Sequence, residues 1–190
     1  WALSATLAKP ERAARAAVGV GCDPVVVRAA MDRPITVECL LPEHIERFPW
    51  SGHLGLAMIE PLLAALDPNV STLLFTNTRS QAERWFAEIL TRRPEWAERL
   101  ALHHGSIDRE VREEIEARLK DGRLSLVVCT SSLDLGVDFA PVERVVQIGS
   151  PKGIARLMQR AGRSGHRPGA ACSVLCVPTH ALELVEIAAA

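Results

Sequence analysis

The stretch LLFTNTRSQAERWFAEILTRR, residues 73–93, decides the fold. Leu73-Leu74-Phe75 is a short continuous apolar run, the pattern of a strand buried on both faces. Thr76-Asn77-Thr78-Arg79 interrupts it, and from about Ser80 to Arg93 the residues Ala82, Trp85, Phe86, Ile89 and Leu90 recur on one helical face. Ser80 and Glu83 stand at capping-box spacing where that helix starts. The same unit of buried strand, polar loop and amphipathic helix repeats downstream. Leu100 to His103 predicts a strand, and Asp108 to Lys120 a helix with the stripe Val111, Ile115, Leu119 and a stop at Gly122. Strands are then expected at Leu124–Cys129, Arg144–Ile148 and Ala171–Val177, and helices at Gly153–Gly162 and Thr179–Ala190. This alternation predicts an α/β fold, a mainly parallel sheet with helices on both faces. Upstream, Val25-Val26-Val27 and Ile35-Thr36-Val37 read as two strands around Asp32-Arg33-Pro34. Pro42 to Trp50 reads as a loop, and Leu54 to Leu66 as a helix that Pro61 must begin, kink or divide.

At 190 residues and 48% hydrophobic content, the chain can bury one substantial core, which excludes a disordered or fibrous class. Lys+Arg 22 against Asp+Glu 23 excludes a general basic field, so any nucleic-acid contact must come from locally placed groups. Arginine dominates the basic set, with lysines only at 9, 120 and 152, which suits planar recognition of phosphate. The cysteines at 22, 39, 129, 172 and 176 form no CxxC pair and fit reduced thiols, so no metal site is expected. No apolar stretch approaches the roughly 20 residues needed to cross a bilayer. No membrane role and a cytoplasmic location are the expectations. The chain opens at Trp1 with Leu3-Ser4-Ala5-Thr6-Leu7 already under way, which reads as an excised piece of something longer.

Parallel sheets bind ligands at the loops beyond the carboxyl ends of their strands. The most informative is QRAGRSGH, residues 159–166. A helix over 154–163 is expected to place Ile154, Leu157, Met158 and Ala161 on one side and Arg156, Gln159, Arg160 and Arg163 on the other. Clustered guanidiniums weaken a helix unless an anion offsets them, although a solvated face is the plainer alternative. TSSLDLGVD, residues 130–138, offers hydroxyls for phosphate and a carboxylate two residues past Gly136 for a ribose, or simply a cap and a turn. Thr76 to Arg79 suits a backbone phosphate, or ordinary turn chemistry. His103 and His104 are adjacent on a strand and point to opposite faces, which argues against paired metal ligation. No GxxxxGK[ST] loop occurs, so this chain can complete an ATP site but cannot build one.

Taken in order, SAT at 4–6, LLFTNTR at 73–79, HHGS at 103–106, VVCTSSLDLGVDF at 127–139 and QRAGRSGH at 159–166 resemble the motifs of superfamily 2 helicases. The wording of the last two, with HIERFPWSGHLG at 44–55, is similar to the large helicase-related (Lhr) family, particularly its bacterial ligase-associated DEXH-box branch. The resemblance implies a RecA-like second helicase domain over 22–178. Residues 1–21 would be a remnant of the first RecA-like domain with its linker, and 179–190 a terminal helix leading toward a downstream domain. It implies an ATP-dependent DNA translocase of 3′-to-5′ polarity linked to DNA repair, acting on a single strand or a 3′-tailed duplex. ATP and Mg²⁺ would be held mainly by the first domain, and the isolated chain would be inactive.

By position, the resemblance assigns Ser4 and Thr6 to coupling, and Asn77, Arg79, Ser106 and Thr130 to the DNA backbone. Gly136, Asp138 and His166 would border the nucleotide, Arg163 with Arg160 would act as arginine fingers, and Gln159 would orient water or the γ-phosphate. His166 stands where many such helicases carry Arg, and a histidine is only partly charged at neutral pH. That moves the finger toward Arg163 and Arg160, with Arg167 a lesser candidate. Two other classes fit the residues: a self-contained nucleotide-binding α/β domain, and a docking module presenting Arg156, Arg160 and Arg163 to an acidic partner.

Overall fold

The computed structural model describes residues 9–19, 21–28, 35–42, 44, 48–50, 55–134, 142–165 and 172–189. Its regular elements are α1 (Pro10–Val18), β1 (Ile35–Cys39), α2 (Ile59–Ala65), β2 (Thr72–Phe75), α3 (Arg79–Arg92), β3 (Leu100–His103), α4 (Arg109–Lys120), β4 (Leu126–Cys129), β5 (Arg144–Ile148), α5 (Ile154–Ala161), β6 (Cys172–Val177) and α6 (Ala181–Ala188). The strands form one sheet in the order β1-β6-β5-β2-β4-β3, and every pairing is parallel.

Alternation along the strands builds two apolar layers. Leu74, Val128, Val146 and Leu175 face a cluster with Met58, Leu62, Trp85 and Ile89. Leu73, Phe75, Val127, Val145 and Val174 face the opposite cluster with Ile115, Leu119, Leu157 and Ala161. The central strands β2 and β4 are buried throughout, as their unbroken apolar runs require. Helix α6 joins the body through Leu184 and Ile187, whereas α1 buries none of its residues. Among the described residues, no helix is long and apolar enough to cross a membrane.

Local chemistry explains three departures from expectation. Helix α3 starts at Thr78 rather than Ser80. The Thr78 hydroxyl accepts the Gln81 N–H at 3.1 Å, and the Gln81 side chain accepts the Asn77 N–H at 3.0 Å. Gln81 therefore serves where Glu83 was expected, because Thr78 keeps the extended backbone that an N-cap needs. Val25 and Val27 are 89% and 85% exposed, outside any strand. A β-branched run makes a strand only where a neighbour completes its ladder. Val111, placed on the inner stripe of α4, is exposed, while Ile115 and Leu119 are buried. Gly122 ends α4 at φ +70°, donating to the Leu119 carbonyl at 3.1 Å while the Arg123 N–H reaches Arg118 O at 2.9 Å. These are the two bonds of a Schellman ending.

Candidate functional site at the carboxyl edge of the sheet

With every strand parallel, the loops after β2, β3, β4 and β5 emerge on one edge. Those after β2 and β3 meet directly: Arg79 Nη1 donates to Ser106 Oγ at 3.0 Å, and its Nε lies 3.8 Å from Glu83. Asn77 turns elsewhere. Its Nδ2 donates to the Ser150 carbonyl at 2.8 Å, tying the β2 loop to the β5 loop, and its Oδ1 is buried without a hydrogen-bond partner. Thr130 is half-buried after β4, with its N–H on His103 O at 3.3 Å.

The two histidines part as expected. His103 is fully buried, with Nδ1 2.8 Å from Ser132 Oγ and Nε2 3.1 Å from Glu116. Burial holds its pKa below 6.5, against the opposing pull of Glu116, so the ring is neutral at physiological pH. His104 accepts the Ser106 N–H at Nδ1 and stands 3.3 Å from Glu83 through Nε2. Among the described residues no cluster of side chains is arranged to hold a metal.

Helix α5 departs from the expected two-sided pattern. Ile154 and Met158 are 54% and 38% exposed, whereas Arg160 is 1% exposed and faces the sheet with Leu157 and Ala161. Arg160 therefore does not share an open face with Arg156 and Arg163. A guanidinium can take an inward position only if its charge and donors are met. Here Nε donates to Asp134 Oδ1 at 2.8 Å and Nη2 approaches Oδ2 at 3.4 Å. Nη1 donates to Gln147, and the guanidinium carbon lies 4.6 Å from the centroid of the Phe75 ring. Gln147 is itself oriented by donating to the Ile148 and Gly149 carbonyls.

Asp134 gathers the arginines around α5. Besides Arg160, its main-chain carbonyl accepts Arg163 Nη2 at 2.7 Å and Nε at 3.2 Å, and Arg156 Nε is 3.9 Å from Oδ2. Gln159 is half-buried on the same helix. The nearby Cys129 thiol is pushed well above its usual range by burial, and Cys176 is pushed up to about 12, so neither is a nucleophile at neutral pH.

Two organising residues are absent from the sequence-level candidates. Asp134 had one signal, being the only acid among the hydroxyl and apolar residues 130–135. Glu183, buried on α6, accepts the Ser150 N–H at 2.8 Å, the Thr179 N–H at 2.7 Å and the Thr179 hydroxyl at 2.7 Å, joining the loops after β5 and β6. Its signal is an acid in the first turn of a helix, where free backbone N–H groups favour a carboxylate. Ser4, Thr6, Gly136, Asp138, His166 and Arg167 lie outside the described residues.

The comparisons with known proteins agree with this architecture. Residues 56–168 match the family model described as helicase conserved C-terminal domain. The Thermococcus barophilus ATP-dependent helicase Lhr-Core protein 2 is 38% identical over 172 residues, covering 87% of this chain and 20% of that protein. The Methanocaldococcus jannaschii ATP-dependent helicase Lhr-Core is 33% identical over 186 residues, covering 97% of this chain and 22% of that protein. Thus the chain spans about a fifth of the length of these curated relatives. Among solved structures, the Mycobacterium smegmatis helicase Lhr bound to ssDNA and AMP-PNP superposes with a TM-score of 0.80 at 30% identity, covering 97% of this chain and 24% of that one. The C-terminal domain of the DEAD-box protein Dbp5, at 17% identity and TM-score 0.55 over 83% of both chains, shares the fold. With Lhr-type helicases as its homologues and more than half its length matched, this chain belongs to the helicase conserved C-terminal domain family.

Proposed function

We propose that this chain is the second RecA-like motor domain of an ATP-dependent DNA translocase. It completes an ATP site whose P-loop and Mg²⁺ ligands belong to a first domain, and it lines part of the track for a DNA strand. The observation that carries the proposal is the convergence of Arg156, Arg160 and Arg163 on Asp134, at the edge where a parallel sheet meets its ligands. Arg163 is the group that stabilises charge developing on the γ-phosphate, and buried Arg160 holds the surroundings in place. Gln159 orients the attacking water, and Gly136, Asp138 and His166 border the nucleotide. Arg79 and Ser106, already bonded to each other, present a guanidinium and a hydroxyl to the DNA backbone beside Thr130. Asn77 acts on that surface through Ser150.

Ser4 and Thr6 couple hydrolysis to movement within residues 1–21. The unburied faces of α1 support assigning that segment to the first domain. Translocation runs 3′-to-5′ and serves DNA repair. The test is Arg163→Ala in the full-length protein, with ATP turnover and DNA binding measured in parallel. Turnover is expected to fall by roughly 10³-fold or more, as for arginine fingers generally, while DNA affinity stays within about twofold of wild type. Unchanged turnover would sink the finger assignment and favour a docking role for the arginines.

A further inference from the structure

We propose that Asp134 is the positioning residue of this ATP site: through its main-chain carbonyl it sets where the Arg163 guanidinium stands, and through its carboxylate it is itself locked to the core by Arg160. The inference rests on Arg163 acting at the γ-phosphate and adds what holds it there.

Asp134 is a short polar residue on the turn after β4, and its side chain is only 9% exposed. A carboxylate buried there is costly unless its oxygens are met by charged donors. Arg160 meets both oxygens, and Arg160 is held in turn by Gln147 on β5 and the ring of Phe75 on β2. The turn after β4 is thus referenced to two central strands. The Asp134 carbonyl then accepts two N–H groups of Arg163 on a single oxygen. Such a fork fixes both the distance and the plane of the guanidinium, which one bond to a flexible partner does not.

The consequence is kinetic. A finger misplaced by about 1 Å loses transition-state stabilisation of the order of 10²-fold while the bound ground state is little altered. Asp134→Asn in the full-length protein keeps the size of the side chain and removes its charge, which weakens the tie to Arg160 that locks the turn to the core. The expected result is a fall in kcat of the order of 10²-fold, with KM for ATP and affinity for single-stranded DNA unchanged. In single-turnover measurements on an Arg163→Ala background, Asp134→Asn should add no further loss, since both changes remove the same interaction. Losses that multiply, unchanged kcat, or a rise in KM matching the fall in kcat would overturn the positioning role.

These outcomes separate from failure of the finger assignment itself, which shows as full turnover in Arg163→Ala alone. If Asp134→Asn does not fold, the charge-free pair Asp134→Leu with Arg160→Met takes its place, since apolar residues of similar volume often replace buried ion pairs at no cost in stability. A folded pair with lost turnover supports the positioning role, and a folded pair with wild-type turnover overturns it.

Discussion

His103 shows how a single buried group reports on the loop it supports. Its ring bridges Ser132 and Glu116, and its carbonyl accepts the Thr130 N–H at 3.3 Å, so the start of the β4 loop rests on it. Burial holds its pKa below 6.5, so the unfolded chain takes up a proton that the native state refuses. Its contribution to stability is complete above that value and is lost as pH falls below 6.5 toward the native pKa. Urea unfolding of the wild type should therefore lose stability across this acidic window, and His103→Gln should flatten that part of the profile. Equal slopes for the two proteins would show that the histidine does not govern it. At the same scale Arg160 teaches the converse lesson. Its identity suggested an exposed cation, and Asp134, 26 residues away, with Gln147 and the ring of Phe75, makes its burial tolerable.

At the scale of elements, helix and strand identity follows from local pattern, and the exceptions share one cause. β2 and α3 were legible from residues 73–93 because a continuous apolar run and a 3.6-residue stripe lie side by side there. The exact cap was not, because Thr78 and Ser80 are both hydroxyl residues and the backbone conformation chooses between them. Likewise Val25–Val27 has strand composition without a strand to pair with, and α5 carries an arginine on its inner face beside exposed Ile154 and Met158. The candidate site was legible as a set of loops. Its hubs, Asp134 and Glu183, were not, since their partners come from other elements.

The caps themselves are testable. Thr78→Ala should cost about 1 kcal/mol, within a range of roughly 0.5 to 2, and Thr78→Ser should restore most of it. Gly122→Ala, forced to keep φ near +70°, should cost roughly 1–2 kcal/mol. Both are read from denaturant midpoints at unchanged m-value.

For the molecule as a whole, Asp134 beyond β4 gathers the arginine side chains around α5 beside the ends of β2 and β5, strands whose neighbouring loops carry Arg79, Ser106 and Thr130. On the proposed reading, such a domain supplies one half of an ATP site and one wall of a strand-binding surface. The purified chain should hydrolyse no ATP above background, and its binding to a single-stranded oligonucleotide should weaken steeply between about 50 and 200 mM salt. Fluorescence anisotropy and a phosphate-release assay check both. Appreciable turnover by the chain alone would contradict the proposed division of labour.

The same parallel order sends the loops that precede the strands to the other edge of the sheet. The Asp67–Val70 turn lies there, ahead of β2, exposed at Asp67 to Asn69 and braced by the Asn69 N–H on Asp67 Oδ1 at 2.8 Å and the Val70 N–H on Asp67 O at 3.0 Å. A dye or an affinity handle grafted into that turn sits at the opposite end of β2 from the loop that follows Phe75, so single-molecule tracking can watch the motor with the label held away from the proposed strand track.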